Sequence, residues 1–252
     1  ITLNKTSFNC TNKGENTVTM TVKDAIGNTS TCDATVTVTD NTPPAITATA
    51  GTVDGNVNVS SGVCYYTVNG SVFDPVVTDN CTGSILSYSV SGATTIASTS
   101  GSMAGIHLEK GANLITWTAT DASGNVVAIP LSFTKTIVDN LPPVISAKTN
   151  QNRNTDNAIC GYAAIGTEFD VTVTDNCSTY SLNYKLNSGT PVVASTLSGT
   201  VFATGTTAVT WTASDGTNTS TRTFQVTVVD DDFPTISEQA NITANINSGC
   251  GS

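Results

Sequence analysis

Carboxylates and cysteines are the residues here whose type and spacing could carry chemistry. His107 is the only histidine, so any Ser-His-Asp or histidine-metal scheme has to use it. Its place, four residues before Gly111, holds Cys10 before Gly14 and Val201 before Gly205. A position filled by three such different side chains is architectural. With no catalytic constellation in the chain, no enzyme is expected. Trp117 and Trp211 could stack on sugar rings, but they alternate in phase with Ile115 and Val209, which makes them core residues.

The seven cysteines are Cys10, Cys32, Cys64, Cys81, Cys160, Cys177 and Cys250. Cys64 and Cys81 stand 17 residues apart, as do Cys160 and Cys177, with matching neighbours FDPVVTDNC and FDVTVTDNC. The pattern predicts one disulfide per full repeat, Cys64 to Cys81 and Cys160 to Cys177, with Cys10 to Cys32 as a third. Cys250 opens the same pattern again (SGC against SGVC and AIC) and is expected to be unpaired. Zinc is the rival reading, but neither a CxxC motif nor clustered histidines accompany these cysteines. Disulfides imply an oxidising, extracytoplasmic home.

The carboxylates fall into two sets. Asp40 and Asn41, then Asp74, Asp79 and Asn80, then the turn from Asp121 to Asn125 form one; Asp139 and Asn140, then Glu168, Asp170 and Asp175, then Asp215 and Asn218 form the other. In a β-sandwich the last hairpin turn and the loop between the second and third strands lie at the N-terminal pole, beside the preceding joint. Each set is therefore expected to converge on one interdomain junction. Unpaired carboxylates brought together repel one another, whereas Ca²⁺ takes roughly six to eight oxygen ligands of this kind. The metal-ligand candidates are Asp40, Asn41, Asp79, Asp121, Asn125, Asp139, Asn140, Asp175, Asp215 and Asn218, and Ca²⁺ is the one cofactor expected. The plainer account, that Asp, Asn and Gly make good turns, stays open beside it.

The elements that must position these residues repeat. MTVKDAIGNTSTCDATVTVTDNTPP from Met20, WTATDASGNVVAIPLSFTKTIVDNLPP from Trp117 and WTASDGTNTSTRTFQVTVVDDDFP from Trp211 each read as an alternating strand, a turn, a second alternating strand and an acidic, Pro-bearing joint. Val18, Met20 and Val22 fall in register with Ile115, Trp117 and Ala119, and with Val209, Trp211 and Ala213. Lys135 occupies the place of Val36 and Val226, and a bulge or edge is expected there. The expected organisation is the C-terminal half of a repeat over 1–40, complete immunoglobulin-like repeats over 45–139 and 144–230, and the start of a further repeat over 235–252. Strands are expected at Ile46–Ala50, Cys64–Val72, Ile85–Val90, Ala93–Ser98, Asn113–Thr120 and Val126–Val138, and the fold class is all-β. A net charge of −10 excludes nucleic acid as a natural partner, because phosphate binding is driven by Lys and Arg. No apolar run approaches the roughly 18 residues needed to cross a bilayer. The sequence opens inside a repeat, so secretion and anchoring segments are expected to lie outside it.

The joint VxDNxPPxI, the Cys of TDNC 17 residues after its predecessor, a Gly six residues before the core aromatic (Gly111, Gly205) and TATDASGN together resemble the hyalin-repeat class of immunoglobulin-like modules. FNCTNKGENTVTMTVKDAIGNTSTCDATVTVTDN is similar to the repeats of giant surface adhesins of gliding Bacteroidota, the SprB type, exported by the type IX secretion system. The Trp lies before the last hairpin and the cysteine spacing differs from that of antibody domains, so antibodies are no guide to detail. The resemblance implies tandem sandwiches in an extended rod, serving as a non-catalytic stalk at the bacterial cell surface in attachment or gliding. It implies neighbouring repeats of the same chain as partners, with surface polysaccharide or other cells beyond them. A filament subunit completed by neighbouring chains and a spacer in a secreted enzyme are the alternatives.

Overall fold

Thr, Val and Ile crowd this sequence, and β-branched side chains fit a pleated strand better than the crowded turn of a helix. The computed structural model describes residues 1–156, 159–177, 179–234 and 236, and it is all-β, with a single 3₁₀ turn at Cys10–Asn12 among the described residues. The expected start of a further repeat over 235–252, with Cys250, lies outside the described residues apart from Ile236. The chain divides into two compact units, Ile1–Leu141 and Pro142–Ser252.

In the first unit, β1 (Thr2–Leu3), β2 (Gly14–Lys23) and β3 (Thr29–Val38) make a three-stranded antiparallel sheet. Nine strands follow: β4 (Ala45–Thr47), β5 (Gly55–Asn58), β6 (Tyr65–Thr67), β7 (Val76–Thr78), β8 (Ile85–Gly92), β9 (Ile96–Ser100), β10 (His107–Glu109), β11 (Gly111–Thr120) and β12 (Leu131–Val138). A five-stranded sheet in the order β5-β12-β11-β8-β9 is accompanied by two short ladders, β4 with β7 and β6 with β10. Burial along β11 alternates, with Asn113, Ile115, Trp117 and Ala119 inside. Ile115 and Trp117 pack with Tyr88, Phe133 and Ile137 of the same sheet against Val68, Phe73, Met103 and Leu108.

The second unit repeats this plan with β13 (Val144–Ile145), β14 (Gln151–Asn154), β15 (Gly161–Ala163), β16 (Val173–Thr174), β17 (Ser181–Leu186), β18 (Val192–Val193), β19 (Val201–Ala203), β20 (Gly205–Ser214) and β21 (Thr219–Val229). Its sheet runs β14-β21-β20-β17-β18, with ladders β13 with β16 and β15 with β19. Val209, Trp211, Phe224 and Val226 pack against Phe169, Leu197 and Phe202.

Three expectations are corrected. The strand expected over Cys64–Val72 shrinks to Tyr65–Thr67, because the chain turns at Gly70 with φ +55, in the left-handed region that glycine adopts without strain. The strand expected from Val126 begins at Leu131, just after Pro130, which has no N–H to give to a ladder; Val126 makes only an isolated bridge to Thr120. Lys135 is at neither a bulge nor an edge. It pairs in unbroken register with Asn113 of β11 and Gly55 of β5, and its Nζ lies 5.1 Å from the Phe73 ring centre and 5.7 Å from that of Phe133. The ammonium is accommodated by the ring faces. Burial lowers its pKa, with Asp54 partly opposing. In the second unit the cation over the equivalent ring comes from another strand, Arg153 of β14, 5.2 Å from Phe169.

Candidate functional site at the Asp40 junction

Asp121 follows directly on β11 and closes the last hairpin of its sandwich. Its Oδ1 accepts from the backbone N–H groups of Ser123 and Asn125, both at 2.8 Å, and its Oδ2 from Asn125 Nδ2 at 2.8 Å. Asp24 closes the first hairpin in the same way through Ile26, Asn28 and the Asn28 amide, and Asp215 closes the last through Thr217 and Asn218. Turn chemistry therefore accounts for the Asp at this place in all three hairpins. It does not account for what Asp121 meets.

Asp40 leaves β3, Asp79 leaves β7, and one carboxylate oxygen from each lies within 4.8 Å of the others and of one from Asp121. The cluster is laced by donors. Asn80 Nδ2 reaches Asp40 Oδ1 at 3.2 Å, and Asn125 Nδ2 reaches the Asp40 carbonyl at 2.9 Å. Lys13 Nζ donates to Ser123 Oγ at 2.6 Å. Asp79 accepts from its neighbour's N–H in Asn80 and from Ser84 Oγ. Asp121 is only 6% exposed. Burial by itself would raise its pKa, but the bonds from Asn125 and Ser123, with Lys13 nearby, together hold it below the ordinary carboxylate value.

The structure sorts the sequence candidates for this junction. Asp40, Asp79 and Asp121 come together. Asn125 enters as a hydrogen-bond donor through its amide nitrogen, and Asn41 is exposed, its Nδ2 3.5 Å from Thr39 Oγ1. Asp74 is elsewhere, accepting from Met103 N–H at 3.0 Å, and Asp170 does the same for Leu197 in the second unit. Glu168 pairs with Arg153 at 2.8 Å and also accepts from Tyr162 and Ile165. Asp139 belongs to the first unit, where it is buried and pairs with Lys110 at 3.4 Å; Asn140 beside it is exposed. Asp175 belongs to the second unit. One of its oxygens accepts from Cys177 N–H at 2.8 Å, and the other is buried with no hydrogen-bond partner among the described residues.

Beside the Asp40 cluster the expected disulfide pairing is overturned. Cys10 bonds Cys81, with Cα atoms 5.4 Å apart, while Cys32 and Cys160 are free and exposed. Cys64 and Cys177 are also disulfide-bonded, but the pairs Cys10 to Cys32, Cys64 to Cys81 and Cys160 to Cys177 do not form. Strand length is the reason. Cys10 sits near Gly14, which pairs with Val38, and Cys32 is six residues back along β3, about 20 Å by strand rise and far beyond disulfide reach. Cys64 stands near the Val138 end of its sandwich, where Ser60 N–H bonds the Tyr65 carbonyl and Val59 N–H the Val138 carbonyl. Cys81 stands at the opposite, Asp121 end. Cys10 and Cys81 line a groove of about 150 Å³ with Lys13, Val38 and Asp40.

Three carboxylate oxygens no more than 4.8 Å apart fit a hard cation, since two ligands on one Ca²⁺ at about 2.4 Å can stand no further apart than about twice that length. Asp40, Asp79 and Asp121 are the residues that would hold it.

No family model matches the sequence. The chain is 30% identical over 220 residues to hyalin of Strongylocentrotus purpuratus and 29% identical over 220 residues to hyalin of Lytechinus variegatus. Each match takes in 86% of this chain, which spans 16% and 37% of those relatives' lengths. Among solved structures, protocadherin gammaB7 EC3-6 aligns over 86% of this chain and 58% of its own, at 18% identity and a TM-score of 0.31. Drosophila N-cadherin EC1-3 aligns over 80% and 73%, at 12% identity and a TM-score of 0.29.

Proposed function

We propose that this chain is an extracellular, adhesion-type repeat segment that works mechanically, by holding one sandwich against the next, and not by catalysis. The observation that carries the reading is the double fastening at the Asp40 joint. A covalent bond, Cys10 to Cys81, and a lattice of polar contacts around Asp40, Asp79 and Asp121 tie the sheet β1–β3 to the sandwich that follows it. Similarity to hyalin over 86% of the chain supports the repeat type. Ca²⁺ at the three aspartates would stiffen the joint further, with an affinity of about 10⁻⁴ to 10⁻³ M as in extracellular modules.

The finer reading is a stalk segment of a bacterial cell-surface adhesin serving attachment or gliding, and it rests on the resemblance of the TDNC, TATDASGN and joint motifs. Its partners are then neighbouring repeats, with polysaccharide or other cells met by the parent protein. The test is to display the chain on beads and present glass, polysaccharide and cells. A passive stalk segment leaves the beads unattached, whereas specific attachment overturns the mechanical reading and calls for a binding face among the loops.

A further inference from the structure

Cys160 and Cys64 occupy the same place in the two sandwiches. Each directly precedes a three-residue strand, Gly161–Ala163 or Tyr65–Thr67. Each also lies beside a loop bonded to the last strand of its sheet, through Thr155 N–H to the Val229 carbonyl or Val59 N–H to the Val138 carbonyl. This is the exit end of the sandwich, next to the joint. Cys64 is disulfide-bonded, and not to Cys81, the other cysteine of its own sandwich. Cys160 is an exposed free thiol.

The bond between Cys10 and Cys81 shows what a cysteine at an exit end does. Cys10 lines a groove with Val38, Thr39 and Asp40, where β3 runs into the first joint, and bonds the cysteine of the TDNC loop beyond that joint. Cys160 likewise lines a groove of about 540 Å³ with Asp230, Asp232, Phe233 and Pro234. In VTVVDDDFP against VTVTDNTPP these four align with Asp40, Thr42, Pro43 and Pro44. Cys32, the other free thiol among the described residues, is set within β3 opposite Met20 and has no joint beside it.

We infer that Cys160 is one half of a repeat-to-repeat disulfide, its partner being the cysteine of a TDNC-type loop on another immunoglobulin-like repeat. The joining step is thiol–disulfide exchange. The Cys160 thiol gives its proton to solvent, and its thiolate attacks the loop cysteine's sulfur in a mixed disulfide between that cysteine and a low-molecular-weight thiol, which is the group displaced. The new S–S bond forms as the old one breaks, and the displaced thiolate leaves with the electron pair, so no further oxidant is consumed.

The test uses the full chain and the nonapeptide VVTDNCTGS, its cysteine activated as a thiopyridyl disulfide, with coupling sites read by peptide mapping. Cys160 is expected to couple at least tenfold faster than Cys32, and tenfold faster to this peptide than to a scrambled one. Cys160→Ser should abolish the fast phase and Cys32→Ser should leave it, with both variants melting as the parent does because both thiols are exposed. Equal rates at Cys160 and Cys32, or equal rates with the scrambled peptide, overturn the inference, since Cys160 is then an ordinary surface thiol.

Discussion

Cys10 and Cys81 are 71 residues apart in the chain and 5.4 Å apart at their Cα atoms, joined by a disulfide that ties the turn ahead of β2 to the loop after β7. Asp79 and Asn80 immediately precede Cys81, and Asn80 donates to Asp40. The covalent staple and the carboxylate cluster are therefore one construction, and loosening either should be felt by the other.

Closing a loop of 71 residues lowers the entropy of the unfolded chain enough to contribute about 4 kcal/mol. Cys81→Ser is expected to lower the stability of the first unit by that order, in denaturant unfolding under non-reducing conditions. Non-reducing peptide mapping should recover the Cys10–Cys81 peptide and no Cys10–Cys32 peptide.

If Ca²⁺ binds at Asp40, Asp79 and Asp121 with the affinity proposed, 10 mM Ca²⁺ should stabilise the first unit by about 1.4 to 2.7 kcal/mol. Asp79→Ala should remove that increment and change the chelated protein little, because among the described residues Asp79 otherwise accepts only from Asn80 N–H and Ser84 Oγ. Calorimetry with and without chelator measures it. An increment that survives in the variant, or is absent from the parent, leaves turn chemistry as the whole explanation of the acidic cluster.

Burial raises the Glu168 pKa, but bonds from Ile165 N–H, Tyr162 Oη and Arg153 together bring it below its ordinary 4.5. A carboxylate depressed in the fold adds stability above its unfolded pKa and loses it as pH falls through the folded value. Glu168→Gln should therefore weaken the second unit by about 2 kcal/mol at neutral pH. The gap to the parent should narrow as pH drops below 4.5; a gap that stays constant to pH 3 would contradict this.

Trp211 Nε1 donates to the Phe169 carbonyl at 3.1 Å, whereas the equally buried Trp117 Nε1 has no partner among the described residues. Trp211→Phe leaves a buried carbonyl short of a donor, and Trp117→Phe removes an unsatisfied N–H. The first substitution should be the more destabilising by about 1 kcal/mol, measured as the difference between the two unfolding transitions.

Strand identity was legible in the sequence because it is local. Alternate side chains take opposite faces, so Ile115, Trp117 and Ala119, and again Val209, Trp211 and Ala213, declare a buried face with no knowledge of what covers them. The same rule explains what was missed. β5, β7 and β10 are three or four residues long, too short for a period to register. The turn motif around each Asp marked Asp121 and Asp215, and the joints and TDNC loops grouped Asp40 with Asp79.

Tertiary structure alone decided which of the grouped residues meet. Asp74 and Asp79 are five residues apart, yet β7 carries the chain from one end of a ladder to the other between them, so one caps Met103 and the other joins Asp40. Cys64 and Cys81 looked paired because their spacing recurs, but the recurrence records the plan of the sandwich and sets them at opposite ends. Lys135 looked like a flaw in a strand and lies inside, because Phe73 and Phe133, distant in sequence, supply ring faces for its charge. In each case the deciding quantity is a distance between segments, fixed by strand length and sheet order, and no local pattern of residues encodes it.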